Sequence, residues 1–221
     1  MAIKALIFDL DNTLINRNES IKPMHEWLVQ TFLHDFSLQK QHEALVLLKQ
    51  WDYYGYVSHE TVLRCFSKTY GLDFDIKEVT HTIRTHQGYH AKPLDGALET
   101  LEILHKDYIL ALLTNGSSIG QRLKIDTALT SHQKLFTEIL ISGDKGVHKP
   151  NPQVYEALMK SLNLTPQECV YIGDDLTNDI IAPMKLGMKA IRMNHCNLET
   201  TSLTVEINHI SALLDLDFDA L

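Results

Sequence analysis

The sequence predicts an α/β fold, a doubly wound parallel sheet into which a helical bundle is inserted. Three observations carry this. Residues 3–8, Ile-Lys-Ala-Leu-Ile-Phe, form a nearly uninterrupted apolar run, the mark of a strand buried on both faces of a parallel sheet. From Pro93 onward, short apolar runs alternate with helical periods, which implies right-handed crossovers and helices over both faces of the sheet. Between the two, from Pro23 to about Tyr89, helical periodicity continues without any strand pattern. At 221 residues the chain is long enough for a core with a smaller inserted unit, here residues 1–17 and 90–221 for the core and 18–89 for the helical insertion.

Taken in order, the first strand ends in Asp9-Leu10-Asp11-Asn12, and residues 15–20 read as a polar connector. The first inserted helix starts at Pro23 and places Trp27, Leu28, Thr31 and Phe32 on one face. A second spans about 41–50, with Ala44, Leu45, Leu47 and Leu48 as its apolar stripe. A third begins at Ser58 and ends at Gly71, and a fourth covers about 76–86. In the core, helices are expected over 94–105, 119–135, 151–162 and 179–186, and strands over 108–113, 138–141, 169–172 and 189–193. The tail from Asn197 carries a closing helix over 209–214 and an acidic end.

Composition excludes several function classes. Hydrophobic residues at 44% and charged residues at 22% are ordinary for a globular protein. With 20 Lys and Arg against 28 Asp and Glu, the net charge of −8 provides no basic face for a nucleic-acid polymer and suits a cation site. The absence of a bilayer-length apolar run or a signal-peptide pattern predicts a soluble cytoplasmic protein with no membrane association. Cys65, Cys169 and Cys196 are odd in number and far apart, so neither a disulfide framework nor a zinc knuckle is expected. Of the 12 histidines only His86 and His90 have a metal-like spacing, with Gly88 between them and no third ligand nearby.

The strand ends hold the chemistry. Asp9 and Asp11 follow the first strand, Thr114-Asn115-Gly116 the second, and Gly173-Asp174-Asp175 with Asp179 a later one, while Lys149 precedes a helix. Each motif alone reads equally as a turn, a strand end or a solvated lysine. In a parallel sheet, however, these loops emerge on one edge, so residues far apart in sequence converge in one crevice. Two carboxylates one residue apart repel there, and the pair calls for a metal ion, a lysine or a held proton.

On these four motifs the sequence resembles the haloacid dehalogenase superfamily, and its helical insertion resembles the cap of the subgroup that includes phosphoglycolate phosphatase. The resemblance implies a Rossmann-like core and a Mg²⁺-dependent phosphatase that hydrolyses a small phosphate monoester through an aspartyl-phosphate. It assigns Asp9 as nucleophile, Asp11 as general acid/base, and Thr114 and Asn115 with Lys149 as phosphate-binding groups. It places Mg²⁺ on Asp9, the backbone carbonyl of Asp11 and Asp174, with Asp175 or Asp179 in the outer shell and the spacing favouring Asp179. The ion reduces repulsion between an anionic nucleophile and an anionic substrate.

A sugar phosphomutase or a 2-haloacid dehalogenase on the same core, and a phospho-receiver domain from another class, are the competing readings. Dehalogenation requires neither leaving-group protonation nor Mg²⁺, which leaves Asp11 and Asp174 without a task. The partner is expected to be a small phosphorylated metabolite, with phosphoglycolate, a nucleotide and a sugar phosphate all open, and the chain a monomer or homodimer. Within Trp51-Asp52-Tyr53-Tyr54-Gly55-Tyr56, Tyr53 and Tyr56 are the candidate specificity residues, Gly55 a hinge, and Trp51 and Tyr54 equally at home in the helical core. No basic pair in that loop demands a second anion, and Lys22, Arg64 and Lys68 are the nearest cationic candidates.

Overall fold

The computed structural model describes residues 2–194, 196 and 198–221. Its centre is a six-stranded sheet in the order β3-β2-β1-β4-β5-β6, with every pairing parallel. Strand β1 (Ala5–Phe8) is fully buried and alternates between two cores. Leu6 and Phe8 join Leu110, Leu112 and Ile172 on one face, while Ala5 and Ile7 join Ala111, Leu113 and Tyr171 on the other. This is why the run carries no polar alternation. Burial of all four side chains leaves no face for water.

After β1 the chain turns at residues 10–15 and enters α1 (Arg17–Phe32), α2 (Leu38–Asp52), α3 (His59–Tyr70) and α4 (Ile76–Tyr89). These four pack on a core of their own around Leu28, Leu48, Leu63, Phe66 and Ile83. Helix α1 starts six residues before Pro23, because Asn16 caps it by accepting from the Glu19 amide, so residues 17–20 are its first turn and not connector. Its buried face is Ile21, Met24, His25, Leu28 and Val29, and Thr31 is exposed. Ser58 caps α3 through the Thr61 amide, and Gly71 ends it in the left-handed conformation. Where the chain returns to the core, the Asn16 amide donates to the Lys92 carbonyl and the Leu94 amide to the Leu14 carbonyl, pairing the two linkers.

That pairing delays α5 to Ala97–Leu104, three residues later than the apolar pattern suggests. Then follow β2 (Ile109–Thr114), α6 (Ser118–Ala128), β3 (Phe136–Ile141), the single-turn α7 (Ser142–Lys145), α8 (Pro152–Leu162) and β4 (Cys169–Gly173). Helix α6 stops at Ala128 and a 3-10 segment, Thr130–Leu135, completes the stretch expected to be one helix. A π-helical turn, Leu176–Ile181, precedes the short α9 (Ala182–Lys185) and β5 (Lys189–Met193). In the tail, Asn197 lies outside the described residues. Strand β6 (Val205–Ile207) was not expected: it is three residues at the sheet edge with one buried side chain, too short for a period to register. The closing helix is a 3-10 turn over Ile210–Asp215. Among the described residues, no helix is long and apolar enough to cross a membrane.

Strand β1 sits between β2 and β4, so the chain leaves β1 to one side and returns on the other. Ligands of open α/β sheets bind at such a switch point, beyond the carboxyl ends of the strands.

His25 is buried in the helical core, where loss of hydration lowers its pKa to about 4 against the pull of Asp52. The unfolded chain therefore binds a proton below pH 6.5 that the folded chain refuses until about pH 4, and stability falls as the pH drops through that window. Urea titrations should show that His25→Gln loses this part of the slope, worth roughly 3 kcal/mol over the full shift; an unchanged slope would show that His25 does not carry it.

Candidate functional site

Beyond β1 the backbone coils tightly. The Leu10 carbonyl accepts from the amides of Leu14 and Ile15 at 2.9 and 3.0 Å, and Asn12 takes a left-handed φ of 58°. Asparagine tolerates that conformation better than most residues. Its side-chain amide is spent across the site, donating to the Tyr54 carbonyl at 2.9 Å and to Asp174 at 3.2 Å.

Asp9, Asp174 and Asp179 each offer a carboxylate oxygen within 4.8 Å of the others, although Asp9 and Asp174 are 165 residues apart. His86 and His90 do not belong to this group. The Lys149 ammonium reaches Asp9 at 2.8 Å, Asp179 at 2.7 Å and the Tyr171 hydroxyl at 3.0 Å, and it is nearly inaccessible to water. Burial alone would push Lys149 down, but Asp179 and Asp9 outweigh it and hold its pKa well above the ordinary value. Burial pushes Asp9 up against the pull of Lys149. It raises Asp174 as well, where the negative charges of Asp179 and Asp9 add to it. Asp179 rises to about 7, also through burial. One lysine is thus too little positive charge for three clustered carboxylates, two buried and one partly buried.

Asn115 fixes that lysine. Its amide donates to the Lys149 carbonyl at 3.0 Å and accepts from the Lys149 amide at 2.9 Å. The sequence points to a phosphate contact for Asn115, while the clamp pairs residues 34 apart, which no local pattern encodes. Thr114 is buried at the end of β2, its hydroxyl accepting from Gln121 at 2.7 Å.

Asp11 does not join the carboxylate group. Both its oxygens take the Lys124 ammonium, at 2.8 and 2.7 Å, and Gln121 donates to it at 3.1 Å. Burial works against its charge, but Lys124 and Arg17 prevail and hold its pKa low. Asp175 also lines the site; one carboxylate oxygen caps the π-helical turn through the amides of Thr177 and Asn178, both at 2.8 Å, while its own amide supports Asp179 at 3.1 Å. An Asp immediately before a helical turn is a capping signal, and Asp175 directly precedes Leu176.

From the insertion, the Tyr56 hydroxyl donates to Asp174 at 2.9 Å. Tyr53 instead stacks on Tyr54 and Tyr56 and stays largely exposed, away from the carboxylates. Trp51 is partly buried against the helical core, whereas Tyr54 lines the site. Arg17 grips Asp52 with two bonds, at 2.6 and 2.8 Å, joining the start of α1 to the end of α2. Gly55, at φ 93°, lies against the Arg17 guanidinium so closely that a Cβ would meet it at 2.4 Å.

Two chambers result. The smaller, about 140 Å³, holds Asp9, Thr114, Lys149, Asp174 and Asp179. The larger, about 430 Å³, extends between α3, α4 and α6. Asp11, Arg17, Gly55 and Asn115 line both.

A family model for haloacid dehalogenase-like hydrolases matches residues 6–193, most of the chain. The protein belongs to that family. Relatives of this haloacid dehalogenase-like hydrolase include glyceraldehyde 3-phosphate phosphatase of Pyrococcus furiosus, 27% identical over 86% of this chain and 80% of the relative. Pyrophosphatase PpaX of Halalkalibacterium halodurans is 27% identical over 86% and 82% of the two chains. Human N-acylneuraminate-9-phosphatase is 26% identical over 85% and 81%. Such named relatives support a phosphoric monoester hydrolase. Among solved structures, magnesium-bound YfnB of Bacillus subtilis superimposes with a TM-score of 0.79 at 20% identity, covering 97% of this chain and 98% of that one. L-2-haloacid dehalogenase of Xanthobacter autotrophicus does so at 0.70 and 17%, covering 96% of each. Both structures share the fold.

Lys124, Gln121, Arg17 and Asn12 were not singled out in the sequence. Lys124 and Gln121 lie one turn apart on α6, a spacing that marks one helix face but not what it faces. Lys149→Met should expose the charge imbalance: removing the single cation among buried carboxylates is expected to cost about 3–5 kcal/mol in urea unfolding at pH 8. Because the folded chain binds more protons than the unfolded one when carboxylate pKa values are raised, the deficit should shrink towards pH 5. A deficit that grows with acid would contradict this charge assignment.

Proposed function

We propose that this hydrolase is a Mg²⁺-dependent phosphatase that cleaves a small phosphate monoester through an aspartyl-phosphate on Asp9, with residues 18–89 acting as its cap. The observation that carries the reading is the excess of buried carboxylate around Lys149, beside a buried threonine hydroxyl at the switch point of the sheet. The donor set fits Mg²⁺: Asp9, Asp174 and Asp179 each bring a hard carboxylate oxygen to one point, and on this reading Asp9, Asp174 and the Asp11 carbonyl would hold the ion with Asp179 behind them. When bound, Mg²⁺ supplies the positive charge that lets a carboxylate approach a phosphoryl dianion.

The chain's own residues do the rest. The Thr114 hydroxyl and the Asn115 amide hold phosphoryl oxygens, and Lys149 offsets the charge spreading over them. An Asp9 oxygen bonds to phosphorus as the bond to the leaving oxygen breaks, and Asp11 gives that oxygen its proton. Asp11 stands where the two chambers meet, between the phosphoryl group and the organic remainder, the position a proton donor to the bridging oxygen must hold. Lys124 keeps Asp11 ionised in the resting protein. A phosphoryl group arriving beside it raises its proton affinity by repulsion, so Asp11 takes up a proton from water as the substrate binds and holds it until the leaving oxygen takes it. Water then attacks phosphorus, gives a proton to Asp11 and frees the Asp9 carboxylate.

Halide displacement leaves Asp11, its lysine and the carboxylate group without a task, so the dehalogenase neighbours count for the fold alone. A mutase differs only in passing the phosphoryl group to a hydroxyl. The Tyr56 bond to Asp174 makes Tyr56, rather than Tyr53, the loop tyrosine that touches the catalytic end of the substrate site.

Hydrolysis of p-nitrophenyl phosphate tests the reading. With Mg²⁺ the protein should release inorganic phosphate over many turnovers, and chelation of the ion or Asp9→Asn should remove at least about 10³-fold of the activity. Asp11→Asn should slow both half-reactions by about 10²–10⁴-fold. Full activity in Asp9→Asn would refute the nucleophile, and a single turnover would favour phosphoryl storage over hydrolysis.

A further inference from the structure

The larger chamber carries a charge that phosphoryl transfer does not use. Its lining includes Arg17, Arg84 and Lys124, and Asp11 is the one carboxylate among the lining residues. Arg17 is satisfied by Asp52 and Lys124 by Asp11. Arg84 is exposed to solvent at the chamber's mouth, where it also borders a surface pocket shared with Glu60, and its side chain has no hydrogen-bond or ion-pair partner among the described residues. One cation at the rim of this chamber is therefore left without a carboxylate of its own, although the chain's net charge is −8.

Helix packing fixes the backbone at Arg84. Gly120 of α6 lies against the Arg84 carbonyl, where a Cβ would come within 2.9 Å, and Gly88 lies against the Leu123 side chain, where one would come within 2.4 Å. The two contacts follow in the same order along both helices, so α4 and α6 run side by side without room to slide. Around Arg84 the wall offers neutral hydrogen-bonding groups: the buried amide of Gln87, Ser117 at the start of α6, and His59. The His59 ring stays neutral, its pKa lowered to about 3 by burial and by the positive charges of Arg17, Lys124 and Arg84, with only Asp52 opposing.

Resting on the phosphatase reading, we propose that this chamber is a second anion subsite, with Arg84 as its specificity residue. The substrate is then a phosphate monoester that carries a carboxylate or a second phosphate several bonds from the scissile phosphorus. One end lies beside Asp9 and Lys149, the bridging oxygen passes Asp11, and the second anion meets Arg84. Lys22, Arg64 and Lys68, the cations nearest in sequence to the aromatic loop, line neither chamber, and Lys22 opens on a separate pocket beside Lys49. The chamber of about 430 Å³ has room for a sugar-sized remainder between the two charges.

Matched pairs of esters test this, each differing in one charge: 3-phosphoglycerate against glycerol 3-phosphate, 6-phosphogluconate against glucose 6-phosphate, and fructose 1,6-bisphosphate against fructose 6-phosphate. The first two pairs probe a carboxylate and the third a phosphate. In wild-type protein with Mg²⁺, at least one pair should show a preference of about tenfold or more in kcat/KM for the more charged member, and Arg84→Gln should erase it mainly through KM. Arg84→Lys should restore part of it, and Arg64→Gln, on the outer face of α3, should leave the preference in place. Equal treatment of every pair by the wild type, or a preference that survives Arg84→Gln, overturns the subsite. The same pairs titrated calorimetrically into Asp9→Asn report binding without turnover. If no ester is hydrolysed but the charged member still binds more tightly and loses that advantage in Arg84→Gln, the phosphatase reading fails and the anion subsite stands.

Discussion

The structure depends on Lys149 lying buried between Asp9 and Asp179. A lysine taken out of water is costly unless its charge is matched, and three carboxylates near one another are costly unless something positive stands among them. Each solves the other's problem only in part. Lys149 remains charged because two carboxylates hold it, while the carboxylates stay raised because one lysine does not suffice. That residue of uncompensated negative charge is what the proposed function assigns to a cation. A uniformly stable core would have avoided it.

Much of the surrounding fold reads as support for this arrangement. The sheet order brings the ends of β1, β2 and β4 together, and Asn115 at the end of β2 clamps the backbone of Lys149. Gly173 at the end of β4 lies so close to the Asp179 carboxyl that a Cβ would meet it at 2.4 Å. A larger residue at that point would displace the carboxylate that holds Lys149. The helical insertion closes the site from outside through Tyr56 on Asp174 and the Tyr54 carbonyl on Asn12. The Arg17–Asp52 pair meanwhile holds the loop that bears both tyrosines.

The strands were legible because burial on both faces removes polar alternation, and β1, β2 and β4 all show the resulting apolar runs, while β5 keeps an apolar pattern broken by the buried Arg192. The convergence of Asp9, Thr114, Lys149, Asp174 and Asp179 was legible because parallel topology dictates where strand ends lie. Element starts were less so: a tertiary pairing of linkers delayed α5, and a side-chain cap at Asn16 advanced α1 past a proline. What stayed hidden were partners supplied by helix faces. Lys124 and Arg84 look like ordinary helix-surface cations in the sequence; the packing of α4 on α6 buries Lys124 and sets the still exposed Arg84 at the chamber's rim. The motif Gly173-Asp174-Asp175 concealed a division of labour, since an Asp175 oxygen caps the backbone while its neighbour joins the carboxylate group.

The central claim is that the charge left over by Lys149 is completed by a divalent ion at the carboxylates. Anomalous scattering from crystals grown with millimolar Mn²⁺ locates such an ion directly. The account predicts a peak between the Asp9 and Asp174 carboxylates that is lost in Asp174→Asn. Crystals with no peak there, or with the ion held by other residues, would contradict it.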